Sequence, residues 1–217
     1  MDDPIQRHPT RAEQLDIIAT VIADLARPGD RLLDLGCGTG YFIHLLEAKR
    51  GDLAITGVDL KADALAAART RFGEGRFAWI AGDLSEPGNI ALPHDRYRFI
   101  VSGLTFHDLA DVQKQAVIRR VAELLSNDGL FLLYDRIRLT EPKLFPVQAS
   151  IWRRLERVHG FGMRTADSFA AYETDLGSTN SPGRANDYRA WFDAAGMAHA
   201  IVHQHGNIAI FAATRCG

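Results

Sequence analysis

A short glycine-rich segment, Gly36-Cys37-Gly38-Thr39-Gly40, follows the mostly apolar run Arg31–Leu35 and precedes a helical pattern. A strand that ends in glycines and leads into a helix presents bare backbone N–H groups to a ligand. The spacing departs from the G-x-G-x-x-G pattern of dinucleotide-binding folds, because Tyr41 stands where that pattern has a third glycine or an alanine. The segment therefore predicts a ligand site, and the bulky ring of Tyr41 disfavours a dinucleotide as the ligand.

Three aspartates mark successive predicted strands: Asp34 lies two residues before the first glycine, Asp59 ends the second strand and Asp83 ends the third. The Asp34 carboxylate would repel a pyrophosphate and attract a cation. Asp59 is placed to accept hydrogen bonds from ribose hydroxyls, and Asp83 from an adenine amine. Each aspartate alone could be a helix cap or turn residue. Together with the glycine segment, they favour a site for a cationic nucleoside.

His107 is the candidate general base, because it follows the fourth predicted strand and an imidazole can accept a proton near neutral pH. The alternative is that it only bonds the local backbone. The alternating His199, His203 and His205 could suggest a metal, but a polar face on an edge strand explains them better, and no metal site is predicted. Cys37 is interpreted as a small residue that the glycine segment tolerates.

These residues are carried by alternating strands and helices, which predict a parallel sheet with helices on both faces. Strands are predicted at 31–35, 53–58, 76–81, 97–103 and 130–134, and helices from 10, at 41–48, at 62–72 and at 111–126. Asn127-Asp128-Gly129 is predicted to be a turn. A helix at 186–195 and an antiparallel strand pair at 198–204 and 208–214 follow.

Composition excludes several classes of protein. The chain has 217 residues, of which 47% are hydrophobic, with 25 basic against 27 acidic residues, so it is globular and lacks the basic excess typical of nucleic-acid binding. Two cysteines cannot form a disulfide framework. The polar N-terminus does not resemble a signal peptide, and no apolar run is long enough to cross a bilayer. We expect a cytoplasmic protein that binds neither membranes nor nucleic acid.

The segment from about Asp30 to Tyr134 resembles the class I S-adenosylmethionine-dependent methyltransferases. Asp34–Gly40 resembles the first motif of that family, and Ser102–Leu109 resembles its fourth-strand segment. The resemblance implies a single, doubly wound, Rossmann-like α/β domain spanning 1–217. Its seven-stranded, mostly parallel sheet would have the order 3-2-1-4-5-7-6 with strand seven antiparallel. An N-terminal arm and helix would cover about 1–27, and a helical lid would be inserted at about 136–185.

The resemblance also implies that S-adenosyl-L-methionine is the co-substrate and S-adenosyl-L-homocysteine the product. The residues expected to bind this nucleoside lie at the ends of the first four strands: Asp34, Gly36, Cys37, Gly38, Gly40, Asp59, Leu60, Asp83, Leu84, Ser102 and Gly103. His107 remains the candidate catalytic residue. The [Asp/Asn]-Pro-Pro-Tyr motif, which related enzymes use on planar amides and base nitrogens, is absent after the fourth strand.

The acceptor is expected to be a small molecule whose nucleophilic O, N, S or C atom stays open. In the insertion, one helix has the stripe Val147, Ile151, Leu155 and Val158, and aromatic residues that include Trp152, Phe161, Phe169 and Tyr172 could wall a pocket or bury the insertion. Residues 136–189 hold eight arginines and one lysine against six acids, which mildly favours an anionic acceptor.

Three other functions stay open. The chain could bind S-adenosylmethionine as a non-catalytic or regulatory protein, or it could methylate RNA or protein. A nicotinamide-dependent dehydrogenase is disfavoured by Tyr41 and Asp34. The sequence leaves a homodimer open.

Overall fold

The structure is a computed structural model that describes residues 9–159, 166–177 and 180–216. Its helices are α1 (Pro9–Leu25), α2 (Tyr41–Glu47), α3 (Ala62–Phe72), α4 (Asp111–Leu124), α5 (Phe145–His159), α6 (Phe169–Thr174) and α7 (Ala185–Ala194). Its strands are β1 (Arg31–Leu35), β2 (Ala54–Asp59), β3 (Phe77–Ala81), β4 (Tyr97–Gly103), β5 (Leu125–Arg136), β6 (Met197–His205) and β7 (Ile208–Arg215). None of the described helices has the length and apolar character needed to span a bilayer.

The seven strands form one sheet in the order β3-β2-β1-β4-β5-β7-β6, which confirms the predicted topology. Strands β1 to β5 pair in parallel, and β7 runs antiparallel to both β5 and β6. Because β1 to β4 are parallel, their carboxyl ends meet at one edge, and this edge collects the residues that follow each strand.

Each face of the sheet is covered by helices and has its own apolar core. Leu132 and Tyr134 of β5 belong to the cluster that α1, α2 and α3 help to form. Phe131 and Leu133 belong to the opposite cluster with α4 and α7. Successive residues of a strand point to opposite faces, so Tyr134 and its neighbour Asp135 are directed to different layers.

Strand β5 differs from the prediction at its beginning. The predicted turn Asn127-Asp128-Gly129 lies within β5, which begins at Leu125. Leu125 already pairs with Tyr97, and the register then shifts before Phe99 pairs with Leu130. The strand therefore absorbs the polar triplet at an irregularity in the ladder, where extra residues can be accommodated without a turn.

The insertion, residues 137–184 between β5 and α7, has a small core of its own. Phe145, Ala149, Trp152 and Tyr172 are buried together. The predicted stripe of α5 was wrong in part, because Val147 and Val158 are each 58% exposed and only Leu155 of that stripe is buried. The helix instead turns its large rings inward, which buries more apolar area. Phe161 lies outside the described residues.

Backbone bonds attach the insertion to the loop after β4. Ser181 N donates to His107 O over 2.6 Å. The fully buried Lys114 of α4 donates from Nζ to the carbonyls of Leu109 and Ser181, both at 2.6 Å, and to Asp111 Oδ1 at 2.9 Å. A buried ammonium needs such partners, so this lysine holds two segments that are distant in sequence.

Strand β6 lies at the edge of the sheet, as the sequence predicted. His199, His203 and His205 share its half-buried face with Ile201, whereas Ala200, Val202 and Gln204 are exposed. His199 Nε2 lies 3.1 Å from Asp193 Oδ1. Within residues 9–159, 166–177 and 180–216, no three His, Cys, Asp or Glu side chains gather as a metal site would require.

Candidate functional site

A cavity of about 1000 Å³ opens at the carboxyl ends of β1 to β4. Its wall includes the glycine segment after β1 and the aspartates that end or follow β1, β2 and β3, namely Asp34, Asp59 and Asp83. Leu15 of α1 and the residues after β4 close the other end. This is the place where open parallel sheets bind ligands.

The glycine segment is held against β2 by its own backbone. Gly36 N and Cys37 N both donate to Val58 O, at 2.8 and 3.0 Å. Gly38 N donates to Asp59 Oδ2 at 2.8 Å, and Lys61 N donates to Asp59 Oδ1 at 2.9 Å. Asp59 therefore fixes the loop with one oxygen and the start of α3 with the other. Each carboxylate oxygen keeps further acceptor capacity toward the cavity.

Asp34 is the most unusual ionisable group in the cavity wall. It is only 2% exposed, and its Oδ2 has no hydrogen-bond partner among the described residues. Burial raises the pKa of Asp34 to about 8, and the negative charge of Asp59 adds to this shift. An unpartnered buried carboxyl is costly, and a cationic ligand would relieve that cost.

Nine of the eleven residues predicted to bind the nucleoside line this cavity. The other two lie elsewhere. Gly40 precedes α2 as its N-cap, and a Cβ built on it would lie 2.6 Å from Phe72 Cε2. Ser102 is buried, and its hydroxyl donates to Leu35 O at 2.8 Å. Cys37 lines the wall as a buried residue. Burial raises the pKa of the Cys37 thiol, and the charges of Asp34 and Asp59 raise it further, so the thiol stays protonated.

Leu15 and Leu104 also line the cavity, although the sequence analysis did not single them out. Leu104 has φ +56°, the one left-handed backbone conformation at a described residue other than glycine. Its N–H donates to Tyr134 O at 2.7 Å. Such a conformation is unfavourable for leucine and is held by its surroundings. The residue type could not have predicted this backbone conformation, because leucine rarely adopts it.

His107 lies behind the cavity wall and forms a buried pair with Asp135. Its Nδ1 is 2.5 Å from Asp135 Oδ1, and its Nε2 is 3.6 Å from Asp108 Oδ1. Asp135 is fully buried, and its Oδ2 has no partner among the described residues. Asp108 lines the cavity, whereas His107 does not. The Asp135 carboxylate fixes the ring through Nδ1 and leaves Nε2 near Asp108, a residue of the cavity wall.

Comparison with known proteins gives a family match over part of the chain. Residues 32–129 match the family profile described as "Methyltransferase domain". The matched segment contains β2 to β4, all of β1 except Arg31, and the aspartates Asp34, Asp59 and Asp83 of the cavity wall. It leaves out α1 and the insertion.

Two curated relatives are similar over different lengths. A carboxy-S-adenosyl-L-methionine synthase of Nautilia profundicola is 23% identical over 164 residues, which cover 74% of this chain and 68% of that protein. A malonyl-[acyl-carrier protein] O-methyltransferase of Acetivibrio thermocellus is 30% identical over 99 residues, which cover 46% of this chain and 33% of that protein. The similarity to the second relative thus spans about a third of its length.

Among solved structures, the mitomycin 7-O-methyltransferase MmcR has the same fold, with a TM-score of 0.65 at 15% identity. The alignment covers 95% of this chain and 54% of that chain. At this identity the likeness establishes the fold, and this chain corresponds to about half of the larger enzyme.

Proposed function

We propose that this chain is a class I S-adenosylmethionine-dependent methyltransferase, as the family match over residues 32–129 supports, and that it transfers the methyl group of S-adenosylmethionine to a small-molecule acceptor. S-Adenosylmethionine supplies a methyl group activated by a sulfonium, so the protein's task is to align the acceptor and exclude water. The finer assignments below, including the residue roles, are parts of this proposal.

The observation that carries the proposal is the combination of a buried, unpartnered Asp34 with an open cradle at Gly38. A Cβ built on Gly38 meets no atom within 4 Å, so the backbone there leaves room for a ligand. Both features fit a cationic nucleoside. A pyrophosphate would instead meet Asp34 and Asp59 in the same wall. In our proposal, Asp59 binds the ribose hydroxyls, Asp83 and Leu84 bind the adenine, and Asp34 faces the positive charge.

The insertion is attached to the loop that follows β4. The insertion, which we propose to act as a lid, buries its rings in its own core and bonds to the loop after β4 through Ser181.

We place the protein in the cytoplasm because its cysteines, Cys37 and Cys216, are both free.

His107 is our candidate for the general base. Asp135 would hold the imidazole with Nδ1–H as donor, so that Nε2 can accept a proton from the acceptor. In this proposal Nε2 would reach the acceptor beside Asp108, which lines the cavity and whose Oδ1 lies 3.6 Å from Nε2.

The direct test is transfer of tritium from [methyl-³H]S-adenosylmethionine to a metabolite extract, with products separated by size. We expect label in small molecules and stoichiometric formation of S-adenosylhomocysteine. Label in RNA or protein would replace the proposed acceptor class. Binding of S-adenosylmethionine without any transfer would identify a non-catalytic binder, and tight binding of NAD would overturn the proposal.

The unusual pKa of Asp34 predicts a pH-dependent affinity. At pH 7 this carboxyl is mostly protonated in the free protein, since its pKa is about 8. A bound cation favours the ionised form, so binding should release part of a proton, and affinity should rise as the pH increases from about 7 to about 9. Calorimetry at pH 7 in two buffers of different ionisation enthalpy measures the proton release.

The Asp34→Asn variant is the control, because it should bind S-adenosylmethionine more weakly and release no proton on binding. The contribution of Asp34 to folding stability changes with pH in the opposite direction to the binding affinity. The folded-state pKa lies above the unfolded value of 3.8, so this contribution falls as the pH rises from about 4 to about 8. A wild-type binding enthalpy that is independent of the buffer would contradict the assignment.

Replacing Asp59 with alanine should weaken S-adenosylhomocysteine binding by about 1.5–3 kcal/mol, or roughly 10- to 150-fold. The variant loses the proposed ribose contacts, and it also frees Gly38 N, which Asp59 now binds. Calorimetry measures the loss. Asp63→Ala is the matched control, because Asp63 also lines the cavity but bonds only its neighbour Ala64 N. Equal affinities of the two variants would refute the role of Asp59.

A further inference from the structure

Two arginines gather beyond the β4 end of the cavity without a carboxylate partner. Arg11 of α1 and Arg136 at the end of β5 interact electrostatically with each other and with the phenol of Tyr134. Burial lowers the pKa of Arg11, and the charge of Arg136 lowers it further, although Tyr134 acts in the opposite direction. A bound anion would offset the repulsion between these two partly buried positive charges.

The hydrogen-bonding capacity of this group is incompletely used. Tyr134 is fully buried, and its hydroxyl has no partner among the described residues; Arg11 Nε is likewise buried without one. Arg136 Nη1 reaches a neutral oxygen, Asn180 Oδ1, at 3.2 Å. Buried polar groups are normally paired, so these donors are free to bind a ligand.

Some partly buried arginines of the chain are neutralised. Arg50 Nε lies 2.8 Å from Asp52 Oδ1, and Arg76 forms a two-pronged pair with Glu47. In the part of the chain that the structure describes, neither Arg11 nor Arg136 has such an ion pair, and the half-buried Arg138 and Arg215 have none either. Arg11 differs from these two because its Nε is also buried without a hydrogen-bond partner.

The position of the group relates it to the proposed reaction. Arg11 lies one helical turn before Leu15, and Leu15 lines the cavity. Tyr134 pairs in register with Gly103, another residue of the wall, and its Cδ1 is 3.9 Å from the position of a Cβ on Gly103. In the sheet order β3-β2-β1-β4-β5, a nucleoside on Asp83 and Asp59 extends toward β4, so β5 and α1 lie on the acceptor side.

We infer that Arg11, Tyr134 and Arg136 form the acceptor's anion-binding subsite, which selects small molecules with a carboxylate or phosphate group. The inference rests on the proposed function, since it assigns the acceptor of that same site. The guanidinium groups supply forked donors for oxyanions, and the Tyr134 hydroxyl supplies a further donor. The group fixes the anionic end of the acceptor and leaves its nucleophilic atom to face the cavity.

The test measures binding of benzoate and of phenyl phosphate to the protein with and without saturating S-adenosylhomocysteine, by calorimetry or ligand-observed NMR. Benzamide and phenol serve as neutral analogues. We expect one anion to bind and its neutral analogue to bind much more weakly. The preferred anion then identifies the acceptor group as a carboxylate or a phosphate.

The variants Arg11→Met, Arg136→Met and Tyr134→Phe assign the subsite. Each arginine variant should weaken anion binding roughly 10-fold or more, and Tyr134→Phe should have a smaller effect, while the affinity for S-adenosylhomocysteine stays unchanged. Arg157→Met is the matched control, because it removes the same charge from an exposed position of α5. Tyr134→Phe loses no bond within the described chain, so its fold should be preserved.

Two outcomes would overturn the inference: neither anion binds the wild-type protein, or the arginine variants bind it as well as Arg157→Met does. Failure of the proposed function is distinguishable, because it would appear as absent S-adenosylhomocysteine binding in the same samples. Anion binding to the free protein would still report on Arg11 and Arg136.

Discussion

Replacing His107 with glutamine is expected to slow methyl transfer about 100- to 10,000-fold, the range that a positioned general base contributes. The side chain of glutamine keeps a polar group near Asp135 but cannot accept the proton. Affinity for S-adenosylhomocysteine should not change, because His107 does not line the cavity. The measurement is kcat at saturating S-adenosylmethionine with the acceptor identified by tritium transfer.

Asp135→Asn should lower kcat as well, because the 2.5 Å contact that sets the imidazole tautomer is lost. His199→Gln is a matched control, since His199 also pairs with an aspartate, at 3.1 Å, but on the edge strand β6. Full turnover by His107→Gln would remove His107 from the mechanism.

Alanine at Gly36 is expected to destabilise the fold by about 3 kcal/mol, from overpacking and a left-handed backbone. Gly36 has φ +80°, and its new Cβ would lie 2.2 Å from Thr105 Oγ1 and 2.9 Å from Thr105 Cβ. The Cβ atom of Thr105 cannot move without its backbone. Urea denaturation should therefore show a lower midpoint with an unchanged slope.

Gly38→Ala, two residues later, makes the same chemical change in an open place. Gly38 has φ +53° and no atom within 4 Å of the new Cβ, so only about 1 kcal/mol of backbone strain is expected. The added methyl group should instead reduce S-adenosylhomocysteine affinity, because Gly38 lines the cavity. Equal stability of the two variants, or unimpaired binding by Gly38→Ala, would contradict this division of roles between the two glycines.

Much of the sheet and of the cavity wall at the ends of β1 to β3 could be predicted from the sequence, because local patterns determine them. Apolar runs that end in Asp34, Asp59 and Asp83 predict parallel strands and also state which residues meet at the edge. Glycines at positive φ, such as Gly36 and Gly38, are recognisable by type.

The proposed acceptor side could be predicted less well from the sequence, because it depends on contacts between distant segments. Asp135 lies next to last in β5, as Asp34 does in β1, so its position could be predicted from the sequence, but its pairing with His107 could not. Arg11 and Arg136 are 125 positions apart, and only the packing of α1 beside β5 brings them together. Their residue types do not distinguish them from arginines that simply contact solvent.

The burial of the α5 helix shows a second limit. The spacing of Val147, Ile151 and Val158 suits one face, and that of Phe145, Gln148, Ala149, Trp152 and Leu155 suits another. Both patterns have helical periodicity. The structure buries the second face because its rings complete a core with Tyr172, a residue of a different helix.

The buried ammonium of Lys114 has a consequence for turnover. It holds Leu109 O in the wall of the cavity and Ser181 O in the insertion. If the insertion moves outward to admit an acceptor or release a product, either the Lys114 ammonium must lose a carbonyl partner or the loop that carries His107 must move with the insertion. The second route would displace the proposed base in the same step that opens the proposed acceptor side.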